Sequence, residues 1–343
     1  MTRVMVVGIS MAALIVCGSD EAYPAYAAYG RPEAMQWKDG KRGAFTMQFD
    51  DSTSNQADVV VPLLEQRGLV ATFFVNPGAK RYRNQREVWE SLPARGHELA
   101  NHTWDHGGAP DLAEAEREIG GTSEYIWQVT GRRRLLPFDR GGGTYWGITE
   151  EEMQDVMQRH CVFQRPTVAS IAMKWGTSAI ITTFPQMALD NRTWVPVHLH
   201  DVVPDAPDTL ATDMADFLRL LDFLVAHRAD LWVATTGAAY RYQQEYQALS
   251  AVELTEASRE GLAVALECDV TAVESHSRPF GAVYDEPLTV RVQVPAFWSH
   301  FSVTQAGEAA RYDCITVRGG RVAQFGVVPN VGLALVRVDR GRR

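Results

Sequence analysis

Residues 97–106 read H-E-L-A-N-H-T-W-D-H and place three of the chain's nine histidines within ten positions. His102 and His106 are spaced i, i+4, so a helical turn would bring both imidazoles to one face, within reach of one ion. A carboxylate from a separate segment, Asp50 or Asp51 in T-M-Q-F-D-D, would complete a two-histidine, one-carboxylate set with open positions for water. An ion in such a set lowers the pKa of a bound water toward about 7 and polarises a carbonyl oxygen, which is hydrolytic chemistry. Plainer readings exist for both motifs. H-x-x-x-H pairs occur on many surfaces, and F-D-D followed by serine suits the cap of the next helix.

The elements that must position these residues alternate. Between residues 43 and about 247 short apolar runs are separated by helix-like segments. The strand readings are Gly43–Phe49, Val70–Val75, His97–Ala100, Leu135–Phe138, Val195–Leu199 and Leu231–Ala234. Helical patterns fall at Gln56–Arg67, Glu87–Ala94, Leu112–Thr130, Glu150–Gln158 and Thr212–His227. Such alternation implies a parallel sheet, open or closed into a barrel, with chemistry gathered at the C-terminal strand ends. The polar clusters fall at those ends: Asp50 and Asp51, Asn101–His106, Arg140 with Gly141–Gly143, and His200 with Asp201. Beyond about residue 250 the pattern becomes alternating and turn-rich, as in E-P-L-T-V-R-V-Q-V-P at 286–295, which predicts a small antiparallel β domain.

With 343 residues, 46% hydrophobic and 22% charged, the chain is long enough for two domains with full cores. Its net charge of −9, with no basic run beyond Arg132–Arg134, excludes nucleic acid as an expected partner. At the N-terminus Arg3 precedes an apolar run, Val4 to Val16, and a small-residue stretch ending Ala25-Tyr26-Ala27-Ala28. That order predicts a secretory signal over residues 1–27, an exported protein and no transmembrane span in the mature chain, since the run is short of the roughly 20 residues a span needs. Lipoprotein processing at Cys17 is the alternative. Export leaves Cys161, Cys268 and Cys314. Cys161 in C-V-F reads as a buried free thiol, and Cys268 with Cys314 as one disulfide in the C-terminal region.

Taken in order, T-M-Q-F-D-D (46–51), G-H-E-L-A-N-H-T-W-D-H (96–106), V-H-L-H-D (197–201) and L-W-V-A-T-T (231–236) resemble motifs of the polysaccharide deacetylases. These form the NodB homology domain, or carbohydrate esterase family four. The resemblance spans residues 43 to about 247. It implies a distorted (β/α) barrel over residues 28–249, with residues 250–343 as a β-sandwich-like addition. It further implies a divalent metal ion, most often zinc, on Asp51, His102 and His106, with Asp50 as general base and His200 as general acid. Thr103 is expected to brace the histidine loop through side-chain to backbone bonds. The implied activity is hydrolytic removal of acetyl groups, N- or O-linked, from an acetylated glycan. A glycan-binding protein with weakened catalysis, or an amidase acting on a non-sugar amide, is the alternative.

The departures from the family pattern concern the substrate side. Where the third motif usually carries an arginine, this chain reads F-D-R-G-G-G at 138–143. Either Arg140 supplies the cation that orients Asp50, or Asp139 stands in the arginine's place. The fourth motif is not recognisable, with Trp175 and Trp194 as loose candidates. His198 replaces the leucine usually found two residues before the catalytic histidine. Trp104, Tyr145 and Trp146 could stack on sugar rings or simply pack.

Overall fold

The computed structural model describes residues 29–205, 209–269, 284–298, 300–310, 312–317 and 320–338. The expected export signal and Cys17 lie outside them. Eight parallel strands form the first sheet: β1 (Gly43–Asp50), β2 (Thr72–Val75), β3 (Glu98–Asn101), β4 (Leu136–Phe138), β5 (Val162–Gln164), β6 (Ala169–Ser170), β7 (Trp194–Leu199) and β8 (Leu231–Ala234). Their order is β5-β4-β3-β2-β1-β7-β6, and β8 pairs with the first half of β1. The sheet curls into a distorted (β/α) barrel, as expected. Between β5 and β6 no ladder forms, and residues 165–168 cross that gap.

Strand β1 explains how one run serves two environments. All eight of its residues are buried. Phe45, Met47 and Phe49 join the apolar core shared with the flanking helices, where Phe49 stacks on Phe73 at 5.4 Å. The alternate residues are polar and bonded inward: Trp194 donates to Thr46 (3.1 Å), and Gln48 donates to the Pro166 carbonyl (3.0 Å). A period of two therefore sends the apolar half outward under the helices and a polar file inward, and Asp50 is the last member of that file.

The long helical pattern at 112–130 is one continuous helix with a π turn at Glu116–Gly120. The helix Glu150–Arg159 starts in a Thr149–Glu152 capping box, and Met214–Ala226 starts on Asp213, whose carboxylate accepts two backbone N–H groups. Strands β5 and β6, at three and two residues, are too short to show a period and escaped the sequence reading.

After the helix Thr236–Gln247 the chain builds two antiparallel sheets. One holds β9 (Leu249–Ser258), β10 (Gly261–Cys268), β15 (Ala334–Val338) and β12 (Phe301–Gln305). The other holds β11 (Leu288–Val294), β14 (Gly320–Val327) and β13 (Tyr312–Val317). Val264, Val290, Val292, Trp298, Phe301, Phe325 and Val336 lie in the core between them. The short strand Glu33–Ala34 also pairs with β11, so a segment ahead of the barrel belongs to this second body. Cys268 corrects the expected disulfide: it is a buried thiol whose Sγ donates to the Glu245 carbonyl at 3.1 Å. Its strand lies in one sheet and that of Cys314 in the other.

Candidate active site

Asp50 and Asp51 are neighbours, and in a regular strand their side chains would point to opposite faces. The backbone avoids this: Asp51 adopts φ 85° and Ser52 φ 52°, which turns the second carboxylate back over the barrel mouth. Thr103 and His106 also sit at positive φ, both 67°. Non-glycine residues hold such conformations only where their surroundings fix them, and four fall on the two loops that carry the candidate ligands.

Those surroundings are hydrogen bonds. Thr103 Oγ1 accepts from the His106 backbone N–H at 3.1 Å, the bracing role expected of it. Asn76 Nδ2 donates to the carbonyls of His102 and Thr103, and Asn101 Oδ1 accepts from the Thr103 N–H at 3.0 Å. The loop after β1 is stapled to the end of β7. Thr53 donates to Asp201, Asn55 exchanges bonds with both backbone groups of Val202, and buried Gln56 donates to the carbonyls of Asp50 and His200. The S-T-S-N-Q stretch therefore ties two strand ends together as well as capping the next helix, where Thr53 Oγ1 accepts from the Gln56 N–H at 3.4 Å.

Asp51 Oδ1 lies 3.7 Å from Nε2 of both His102 and His106. Ligand atoms about 2.1 Å from one tetrahedral ion are about 3.4 Å apart, so this spacing fits a metal. The tautomer fits too. His102 Nδ1 donates to the Asp139 carbonyl at 2.9 Å, which leaves Nε2 as the lone-pair nitrogen facing Asp51. Arg81 donates to the same Asp51 oxygen at 2.7 Å from the rim. Gly141, the first of the three glycines, has φ 77°, and a Cβ there would lie 2.3 Å from His106 Nε2. The glycine lets the loop after β4 close over this ligand.

Buried Asp50 faces Arg165. The guanidinium grips both carboxylate oxygens, Nη2 to Oδ2 at 2.6 Å, and is itself 5% exposed. Arg165 also donates from Nε to Asp139 (3.2 Å) and lies 4.2 Å from the Phe74 ring centre. Burial alone would push the Asp50 carboxyl up, but Arg165 and His102 outweigh it and hold the group well below the ordinary carboxylate range. Asp50 is a fixed anion. His200 Nε2 is 3.9 Å from Asp51 Oδ2, and its ring lies 5.0 Å from that of His198.

Asp50, Asp51, His102, His106 and His200 thus meet in one place. Arg140 does not: its side chain is 49% exposed and pairs with Glu150 at 3.6 Å. Strand β4 ends at Phe138, so Asp139 turns inward to Arg165 while Arg140 sits on the outer side of the glycine turn. The cation on Asp50 is Arg165, which the sequence reading missed. Its signal was Q-R-P directly after the apolar C-V-F, a fifth strand end with a charged residue on it. Trp104 packs over Gly78 and against Tyr125, and Trp146 donates to Thr144, whereas Tyr145 is 71% exposed.

A parallel barrel with a carboxylate–imidazole set at its C-terminal strand ends has the architecture in which (β/α)-barrel enzymes place their active sites. Residues 38–158 match the polysaccharide deacetylase family model. That match includes Asp50, Asp51, His102 and His106 and stops before Arg165 and His200. The chain is also 24% identical over 346 residues to a gellan lyase of a Bacillus species, covering 91% of this chain but 13% of that protein. Among solved structures it is similar to the peptidoglycan deacetylase PdaC from Bacillus subtilis, at 19% identity and a TM-score of 0.43 over 60% of this chain and 94% of that one. A family 4 acetyl xylan esterase from Clostridium thermocellum, in complex with a cobalt ion, gives 17%, 0.38, 57% and 90%.

Proposed function

We propose that the chain is a metal-dependent hydrolase that removes acetyl groups, N- or O-linked, from a polysaccharide or oligosaccharide. The observation that carries this is the convergence of Asp51, His102 and His106 at metal-ligand spacing, beside the arginine-fixed Asp50 and the partly open His200. A divalent ion, with zinc the first choice for such a donor set, supplies Lewis-acid polarisation of the acyl carbonyl and acidifies a water. Asp50 takes the proton of the attacking water. His200, across the pocket, delivers a proton to the departing amine or alcohol, for which an imidazole is suited near neutral pH. Arg165 keeps Asp50 ionised and in one rotamer. With that arginine present, the missing third-motif residue no longer supports the reading of a glycan-binding protein that has lost catalysis. The apolar run after Arg3 supports export, which would put the enzyme where extracellular glycans are met.

Among the described residues no helix is long and apolar enough to cross a membrane. The test is acetate release from a panel of N- and O-acetylated glycans, with and without chelator, alongside elemental analysis. We expect about one divalent ion per chain, lost in His102→Ala, and activity that chelation removes. Asp50→Asn and His200→Ala should keep the ion and lose roughly a hundredfold to ten-thousandfold in rate. A metal-loaded Asp50→Asn enzyme working at the parent rate would remove Asp50 as the base.

A further inference from the structure

Besides the expected ligands, Asp50, His198 and His200 form a second carboxylate–imidazole group of metal-like spacing. Arg165 decides against an ion there: its guanidinium covers both Asp50 oxygens, and a dication beside it would meet an unscreened positive charge. The group needs another role. His198 stands where the family usually has a leucine, so an apolar pocket wall has become a hydrogen-bonding one.

We infer that His198, oriented by Ser170, is a positioning residue that holds Oδ2 of Asp50 and leaves Oδ1 as the oxygen that accepts the proton. This rests on the reading of Asp50 as general base. The Ser170 hydroxyl lies 2.5 Å from His198 Nδ1, and Nε2 lies 3.6 Å from Asp50 Oδ2. Burial and the neighbouring Arg165 and His200 push the imidazole down to about 4, so it carries one N–H. That hydrogen must be on Nε2, because a bare lone pair there would face a carboxylate, which only accepts. Ser170 therefore donates to Nδ1. Oδ2 then accepts from Arg165 Nη2 and faces the His198 N–H at 3.6 Å, whereas Oδ1 accepts from Arg165 Nη1 alone. One lone pair of Oδ1 stays open to a water. A gap of 3.6 Å is of the kind that tightens when substrate fills a site. The outcome is a base with one working oxygen, held from two directions.

The experiment is a double-mutant cycle on the metal-loaded full chain, reading kcat, KM and ion content with an acetylated glycan. His198→Leu should lower kcat by about ten- to a hundredfold with KM and ion content unchanged. His198→Gln, which can return an N–H to Oδ2, should recover to within about threefold of the parent, and Ser170→Ala should lose less than His198→Leu. In the Asp50→Asn background His198→Leu should cost nothing more, because coupled residues are non-additive. A parental kcat in His198→Leu, a multiplicative loss in that background, failure of His198→Gln to recover, or loss of ion from His198→Leu would each overturn the inference. An Asp50→Asn enzyme at full rate would instead overturn the reading beneath it.

Discussion

The two ends of the barrel both bury charge, and they do so differently. At the C-terminal mouth, Asp50 and Arg165 are matched in a bidentate pair, the loops around them hold four non-glycine residues at positive φ, and imidazole nitrogens are left facing one another. At the other end, where the sandwich docks, Glu98, Arg134, Arg241 and Glu286 line a cavity of about 470 Å³. Arg241, 3% exposed, reaches Asp285 and Glu286 only at 3.7 and 3.6 Å, and Asp285 is shared with Arg132 and Arg134. None of these base residues has a left-handed backbone. Charge burial alone therefore does not mark chemistry. Strain around converging ligand atoms does, because a folded chain keeps strained conformations only where other bonds enforce them.

The contrast can be broken most forcefully at Arg165. Arg165→Met leaves Asp50 as a buried, unpaired carboxylate, which should cost about 3–5 kcal/mol of stability along with most activity. Denaturant unfolding measures the first. An Arg241→Met change at the base should cost less, since its ion pairs are long, and equal losses would erase the distinction. Gly141→Ala comes next. Its methyl group would collide with His106 Nε2, so we expect roughly ten- to a hundredfold weaker ion binding by competition titration, with the fold intact by circular dichroism. Unchanged affinity would show that the loop after β4 does not constrain the ligand.

The smallest effect belongs to Glu245. Burial pushes this carboxyl up to about 9, even though the Glu286 N–H donates to it at 3.0 Å, and its other oxygen has no partner. Its folded pKa is above its unfolded one. The native state therefore holds the proton longer, and stability is fully present below about pH 4.5 and drains away as pH rises toward 9. Glu245→Gln, always neutral, should match the parent at pH 4.5 and exceed it by about 1 kcal/mol or more at pH 8. Parallel stability curves would deny the shift. Acetate release should be unchanged, because the residue lies at the other end of the barrel.

How much of this was legible beforehand follows from where each residue sits in the chain. Asp51, His102 and His106 come in compact motifs at the ends of strands long enough to show their apolar runs. Arg165 follows a strand of three residues and Ser170 ends one of two, below the length at which periodicity speaks. Gln56 could not be assigned either, since its partners at Asp50 and His200 are joined only by the fold. The expected disulfide failed for the same reason: nearness of Cys268 and Cys314 in sequence says nothing about which sheet each strand enters. Residue type alone left Arg140 and Asp139 as alternatives, and the strand end turns Asp139 inward to Arg165 while Arg140 stays on the surface.

The strand Glu33–Ala34 has a kinetic meaning. It pairs with β11, the Gly30 N–H donates to the Gln293 carbonyl, and the Asp39 N–H donates to Thr289, 250 residues further along the chain. During synthesis this segment must wait, unpaired, until β11, some 250 residues further along, has left the ribosome. Closure over such a separation is entropically slow, and it makes the sandwich a late event that fastens both flanks of the barrel at once.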